Sequence, residues 1–275
     1  MSKKKLYYVT TEITPFANVS SLAKFSARVP LFLQEKGHDI RTIIPKYGYV
    51  SERKYILREV IRLRKIPFEF NGVETSISAK SAFIPKTRVQ VYFLEDDKWF
   101  LPLTNLLYKA KNGRVLSDNG ERYSYYSKAV LSTLPHLFWV PDVFICNNWQ
   151  SAILPGMYNK NFKGNNEFYK DIKSLLIIHE NNNYSEILRS DLINSNVPID
   201  RSLKGDLLNV YEVASFEVDS IIIMDSNSNK ISKDLMKLKG LKANKDKVSV
   251  IEIENDEKPN FYKISEEIND IILNL

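Results

Sequence analysis

A chain of 275 residues with 44% hydrophobic and 12% aromatic content can bury a sizeable core, as one large α/β domain at least as readily as two small ones. No run approaches the roughly 18 consecutive apolar residues of a membrane span, and MSKKKLYYVTTE carries neither the apolar region nor the cleavage site of a secretory leader, so a cytoplasmic protein with no membrane partner is expected. The net charge of +6 is moderate and its lysines and arginines are dispersed; no nucleic-acid partner is expected from them.

Apolar, β-branched runs of strand length occur at 6–10, 40–45, 89–94, 143–146, 174–179, 220–224 and 248–253. They are near-continuous rather than alternating, which predicts strands buried on both faces, as in parallel sheets. Helix-period segments lie between most of them, at 21–36, 119–138, 149–159, 207–217 and 227–238. This alternation predicts a three-layer α/β/α Rossmann-like domain with a mostly parallel sheet, spanning 1–275 as one unit.

Residues 55–101 break the pattern, with β-rich runs and turn signals at Asn71-Gly72 and Pro85-Lys86; they read as a β-hairpin insertion. The densest cationic cluster, Lys54, Arg58, Arg62, Arg64 and Lys65, opens this segment, interleaved with Val60, Ile61, Leu63 and Ile66. A solvated face is the plainer reading, and a nucleic-acid or membrane-surface patch the sharper one. The C-terminal run, about 262–275, places Ile264, Ile268, Ile271, Ile272 and Leu275 at helical spacing, so a terminal helix is expected, folding back on the sheet or, as the alternative, binding a partner. The single cysteine, Cys146, sits in an apolar run and reads as a buried, inert thiol.

In such a sheet, ligands bind beyond the carboxyl ends of the strands. Those places hold Thr11-Glu12, Asn147-Asn148-Trp149-Gln150, His179-Glu180-Asn181 and Asp225-Ser226. Amides and an indole suit recognition of sugar hydroxyls, because Asn and Gln both donate and accept while Trp offers a flat apolar face. Neither amide titrates near neutral pH, so the run suits acid–base catalysis poorly. His38, His136 and His179 are scattered with no cysteine nearby, and no metal site is expected.

Five collinear blocks, LYYVTTEITPFANVSSLAKF, KGHDIRTIIPKYG, SDNGERYSYYSKAVL, PDVFICNNWQSAILP and SLLIIHENNNY, resemble the N-terminal catalytic domain of bacterial glycogen and starch synthases. The resemblance implies half of a GT-B fold, in a family that transfers glucose with retention from ADP-glucose or UDP-glucose to an α-1,4-glucan, in a cleft between two Rossmann-like domains. It also implies a glucan or glucosyl pocket at the matching positions Glu12, Asp118, Asn119, Trp149, His179 and Asn209.

The departures are equally specific. Where the family's first loop reads Lys-Thr-Gly-Gly-Leu-Ala-Asp, this chain has Asn18, Val19, Ser20, Ser21, Leu22, Ala23 and Lys24. The family's His-Asp-Trp-His appears as Asn147-Asn148-Trp149-Gln150, and a family lysine corresponds to Glu212. The phosphate-binding cation and both close-approach glycines are gone, so we expect no catalytic residues, no cofactor and no transfer by this chain alone. The expected function is binding of an α-glucan or a protein partner, with a nucleotide sugar as a weaker ligand. A glucosyltransferase completed by a second polypeptide and a non-enzymatic interaction module that pairs with itself or another protein stay open.

Overall fold

The computed structural model describes residues 3–104 and 106–275. Its strands are β1 (Lys5–Val9), β2 (Asp39–Pro45), β3 (Arg58–Glu59), β4 (Ile66–Phe70), β5 (Val73–Phe83), β6 (Gln90–Glu95), β7 (Val143–Asn147), β8 (Lys173–Ile178), β9 (Glu186–Leu188), β10 (Leu207–Asn209), β11 (Ser220–Ser226) and β12 (Val248–Ile253). Its helices are α1 (Ser21–Glu35), α2 (Glu52–Tyr55), α3 (Asn119–Leu137), α4 (Leu154–Asn161), α5 (Arg189–Asn194), α6 (Val210–Ser215), α7 (Ser232–Leu235), α8 (Lys239–Ala243) and α9 (Phe261–Leu273).

The main sheet runs β12-β11-β8-β7-β1-β2-β6-β5-β3, with β4 paired to β5. Every pairing from β12 to β6 is parallel. The side-chain period of 2 explains the two cores. Tyr7 and Val9 of β1 enter one that includes α3, α4 and α6, while Leu6 and Tyr8 enter the other, beneath α1 and α9. Helices therefore cover both faces of a parallel sheet, as the continuous apolar runs predicted.

The segment read as an insertion extends the sheet instead of forming its own layer. β6 pairs parallel with β2, and β5 adds antiparallel to the outer edge of β6. Asn71 and Gly72 both have positive φ, +52° and +77°, which matches the twist of a two-residue hairpin turn between β4 and β5.

Other elements differ from their expected bounds. The helix expected at 149–159 starts only at Leu154, because Asn148 takes a left-handed φ of 58° and the chain turns sharply off β7. The helix expected at 207–217 is shortened because Leu207–Asn209 pair with β9. Of the run expected at 227–238, only α7 is helical. At the C-terminus, Ile264, Ile268 and Ile272 of α9 are buried against α1 and the sheet, each burial worth about 1.5–3 kcal/mol.

Candidate functional site

The β1–α1 junction is built around Glu12, which is fully buried just past β1. Its Oε2 accepts the backbone N–H groups of Val19 and Ser20 at 2.9 and 2.7 Å. The Ser20 hydroxyl lies 3.1 Å from Oε1, and the Tyr108 hydroxyl donates to the same oxygen at 2.9 Å. Ser20 is also the N-cap of α1, its Oγ accepting the Leu22 N–H at 3.3 Å. The loop's backbone donors, the groups that hold a phosphate at such a junction, thus meet a carboxyl from their own chain. Asn18 is exposed and within reach of the Thr14 hydroxyl, while Ser21 and Lys24 face outward on the first turn of α1.

Tyr108 organises the next layer. The Asn119 side-chain amide donates to its carbonyl at 3.0 Å, and its ring meets that of Trp149 edge-on at 5.3 Å. Tyr123 and Tyr184 lie 5.0 and 6.3 Å from the same indole, and Trp149 is 0% exposed. Its ring therefore presents no open face. Glu12, Asn119 and Trp149 are brought together around Tyr108, a residue the sequence reading missed; it sits in an irregular stretch with no periodicity to flag it. Asp118 stands apart, ion-paired with Arg122 one turn along α3.

The amides after β7 are turned inward. The Asn147 amide donates to the Val9 carbonyl at 3.0 Å, and its Oδ1 accepts the Tyr8 hydroxyl at 3.1 Å. Asn148 Oδ1 accepts the His179 backbone N–H at 2.7 Å, and its amide donates to Glu180 Oε1 at 3.3 Å. Gln150 is buried, and neither of its amide atoms meets a hydrogen-bond partner among the described residues. Asn209 caps α6 through the Tyr211 N–H at 3.0 Å and donates to Asn181 and Glu186. Glu212 accepts the Gly240 N–H at 3.0 Å and so fixes α8 to α6. A Cβ at Gly240 would lie 2.7 Å from Ser215 Oγ and 2.8 Å from the Glu212 carbonyl oxygen, so this contact requires glycine.

Of the pocket residues implied by the resemblance, His179 lines a cleft at the ends of the strands. Two adjoining cavities of about 320 and 350 Å³ lie at the carboxyl ends of β8, β11 and β12 and share Ser21, His179, Ile253, Asp256 and Pro259. Lys24 and Glu257 border the first; Glu180, Ser226, Ser228 and Asn229 border the second. Burial lowers the His179 pKa to about 3, and its ring packs edge-on against Phe25 at 4.3 Å. Burial, reinforced by the charge of Glu12, raises the Glu180 carboxyl to about 7. Glu180 thus changes charge near neutrality while His179 stays neutral. Burial also pushes the Cys146 thiol far up, which keeps it protonated. Among the described residues, no group of three or more His, Cys, Asp or Glu side chains is placed to hold a metal ion, and no helix is long and apolar enough to cross a membrane.

The family model of the starch synthase catalytic domain matches residues 5–237. The chain belongs to the starch synthase catalytic domain family. Relatives include a glycogen synthase of Chlorobium limicola, 34% identical over 175 residues, which covers 64% of this chain and 35% of the relative. A glycogen synthase of Pelodictyon phaeoclathratiforme is 33% identical over the same span and shares. The chain therefore spans about a third of the length of these relatives. Its fold is that of the catalytic domain of starch synthase IV from Arabidopsis thaliana, solved bound to ADP and acarbose, at a TM-score of 0.74 and 20% identity over 91% of this chain and 51% of that one.

Proposed function

We propose that this starch-synthase-like domain does not itself transfer glucose and instead binds an α-glucan in the cleft at the carboxyl ends of β8, β11 and β12. One observation carries the reading: at the β1–α1 junction, where the resemblance implies a lysine and two close-approach glycines, the chain places the exposed amide Asn18 and the side chains of Ser20 and Ser21. A diphosphate arriving there meets an uncharged amide and two hydroxymethyl groups in place of the family's lysine and glycines. Loss of one well-placed donor of this kind typically costs about 10²–10³ in rate, and here several are changed together.

The lining of the cleft supports the glucan part. Ser21, Glu180, Ser228 and Asn229 offer hydroxyl, carboxyl and amide groups, the chemistry that exchanges hydrogen bonds with sugar hydroxyls. The solved starch synthase IV domain was bound to acarbose together with ADP, which is consistent with a sugar-binding role for the shared fold.

Isothermal titration with maltoheptaose, ADP-glucose and UDP-glucose tests this. We expect heat with the maltooligosaccharide and none with either sugar nucleotide. A flat maltoheptaose trace at millimolar ligand would remove the glucan assignment. Incorporation of labelled glucose into primer by the purified chain would remove the non-transferring one. Incorporation only after a second polypeptide is added would establish the alternative, a transferase completed in trans.

A further inference from the structure

The basic cluster that opens the β-rich segment lies at the sheet edge opposite the cleft. Counting β8-β7-β1-β2-β6-β5-β3, six strand spacings of about 4.8 Å separate β8 from β3, or roughly 29 Å. A groove of about 370 Å³ opens there, between Lys54, Tyr55, Ile56 and Arg58 on one wall and Ser81, Ala82, Phe83 and Pro85 on the other.

The groove is a fork in the sheet. β3 pairs with β5 only through Arg58↔Ser81 and Glu59↔Lys80. β5 continues to Phe83, still paired to β6 on its inner side. The preceding chain leaves the sheet at Ile56, whose φ of 54° is left-handed, an unusual conformation for a β-branched residue. Among the described residues, no strand pairs with Ala82 and Phe83 on the outer side of β5. An open edge of this kind accepts an extended chain by backbone pairing.

Both walls expose apolar surface, Ile56 at 66% and Phe83 at 57%. The rim is cationic and unneutralised. Glu52 is engaged by Lys46 and Lys80, and Glu59 by Arg64, so Lys54, Arg58 and Arg62 form no ion pair among the described residues.

We propose that this fork is a docking site for an extended peptide segment of alternating acidic and apolar residues, from a partner protein, which adds to the outer edge of β5. The open backbone edge and the concave walls favour a peptide over a bilayer, which has no backbone to pair. Charge disfavours a second copy at this site, since a symmetric contact brings Lys54 and Arg58 of both copies together.

Fluorescence anisotropy of the full chain tests the proposal, with labelled decapeptides alternating Asp or Glu with Val, Leu or Phe. The same peptides with Lys in place of each acid, anionic phosphatidylserine vesicles and a single-stranded oligonucleotide are the controls. The expected result is binding of the acidic peptides at least tenfold tighter than of their lysine counterparts. The double variant Lys54→Glu/Arg58→Glu and the single variant Phe83→Lys, all at exposed positions, should each weaken binding at least tenfold with an unchanged melting temperature. Acidic peptides that bind no tighter than the lysine set, binding untouched by these variants, or binding confined to vesicles or oligonucleotide overturns it. Maltoheptaose titrates the distant cleft and serves as an independent check that each variant is folded.

Discussion

The Ser20 backbone N–H donates to the Glu12 carboxyl at 2.7 Å, and the Ser20 hydroxyl, 3.1 Å from the same group, also caps α1. One buried acid thereby fixes the end of β1, the loop after it and the start of the first helix. Replacing Glu12 by Ala leaves the donors of Val19, Ser20 and Tyr108 without their acceptor in a buried setting. We expect Glu12→Ala to lower stability by about 3–5 kcal/mol, measured by urea denaturation. Amide exchange at Val19 and Ser20 should speed up in the same variant. A loss under about 1 kcal/mol would show that the carboxyl does not hold the loop.

Glu180 gives a pH dependence of defined sign. Its carboxyl titrates at about 7 in the folded chain, against an ordinary value of 4.5, because of burial and the charge of Glu12. The folded state binds this proton more tightly than the unfolded state. The stability it contributes is therefore fully present below pH 4.5 and is lost as pH rises through 7, by about 3 kcal/mol in all. Glu180→Gln keeps an acceptor for the Asn148 amide and cannot ionise. Urea denaturation should find the variant equal to the parent near pH 4.5 and more stable above pH 7. Parallel stability–pH curves for the two proteins would contradict the assignment.

His179 has the opposite sign. Burial holds its pKa at about 3, against 6.5 ordinarily, so its contribution is present above pH 6.5 and fades as pH falls toward 3. By pH 4 the loss reaches about 3 kcal/mol. His179→Gln should flatten this acid limb while leaving stability at pH 8 changed only by the altered contact with Phe25. An acid limb as steep as the parent's would assign the slope to other groups.

Trp149 separates packing from sugar stacking. Its indole is enclosed by Tyr108, Tyr123 and Tyr184. Trp149→Ala should cost about 3–5 kcal/mol through the cavity it leaves. Trp149→Phe should retain maltoheptaose affinity within about twofold, because a buried ring contributes to binding only by holding its neighbours. A tenfold loss of affinity in a folded Trp149→Phe protein, read by calorimetry, would place the sugar against the indole.

Local sequence was enough for the central architecture. Continuous apolar runs at β1, β7, β8 and β11 allow no solvated face, so helices on both sides follow from burial alone. The five collinear blocks carried the family, because their motifs sit at strand ends where spacing is fixed by the fold. The hairpin at Asn71-Gly72 was also legible, since positive φ at two successive residues favours that pair. The ends of α4 and α6 were not. Asn148 turns left-handed where its side chain bridges His179 and Glu180, just past β8, and Leu207–Asn209 join β9 through long-range pairing.

The sequence by itself determined the parallel architecture and which side-chain types stand at the ends of the strands, because hydrophobic patterning and side-chain chemistry are local information. Only the tertiary structure decided what those residues do. Glu12 meets Ser20 across eight residues, Tyr108 reaches Glu12 across 96, and Trp149 is enclosed by aromatics from three separate segments. A carboxyl, an amide or an indole reads the same in a sequence whether it faces solvent or the interior. Burial and the partners brought to it by distant chain turn each one into a cap, a clamp or a piece of core.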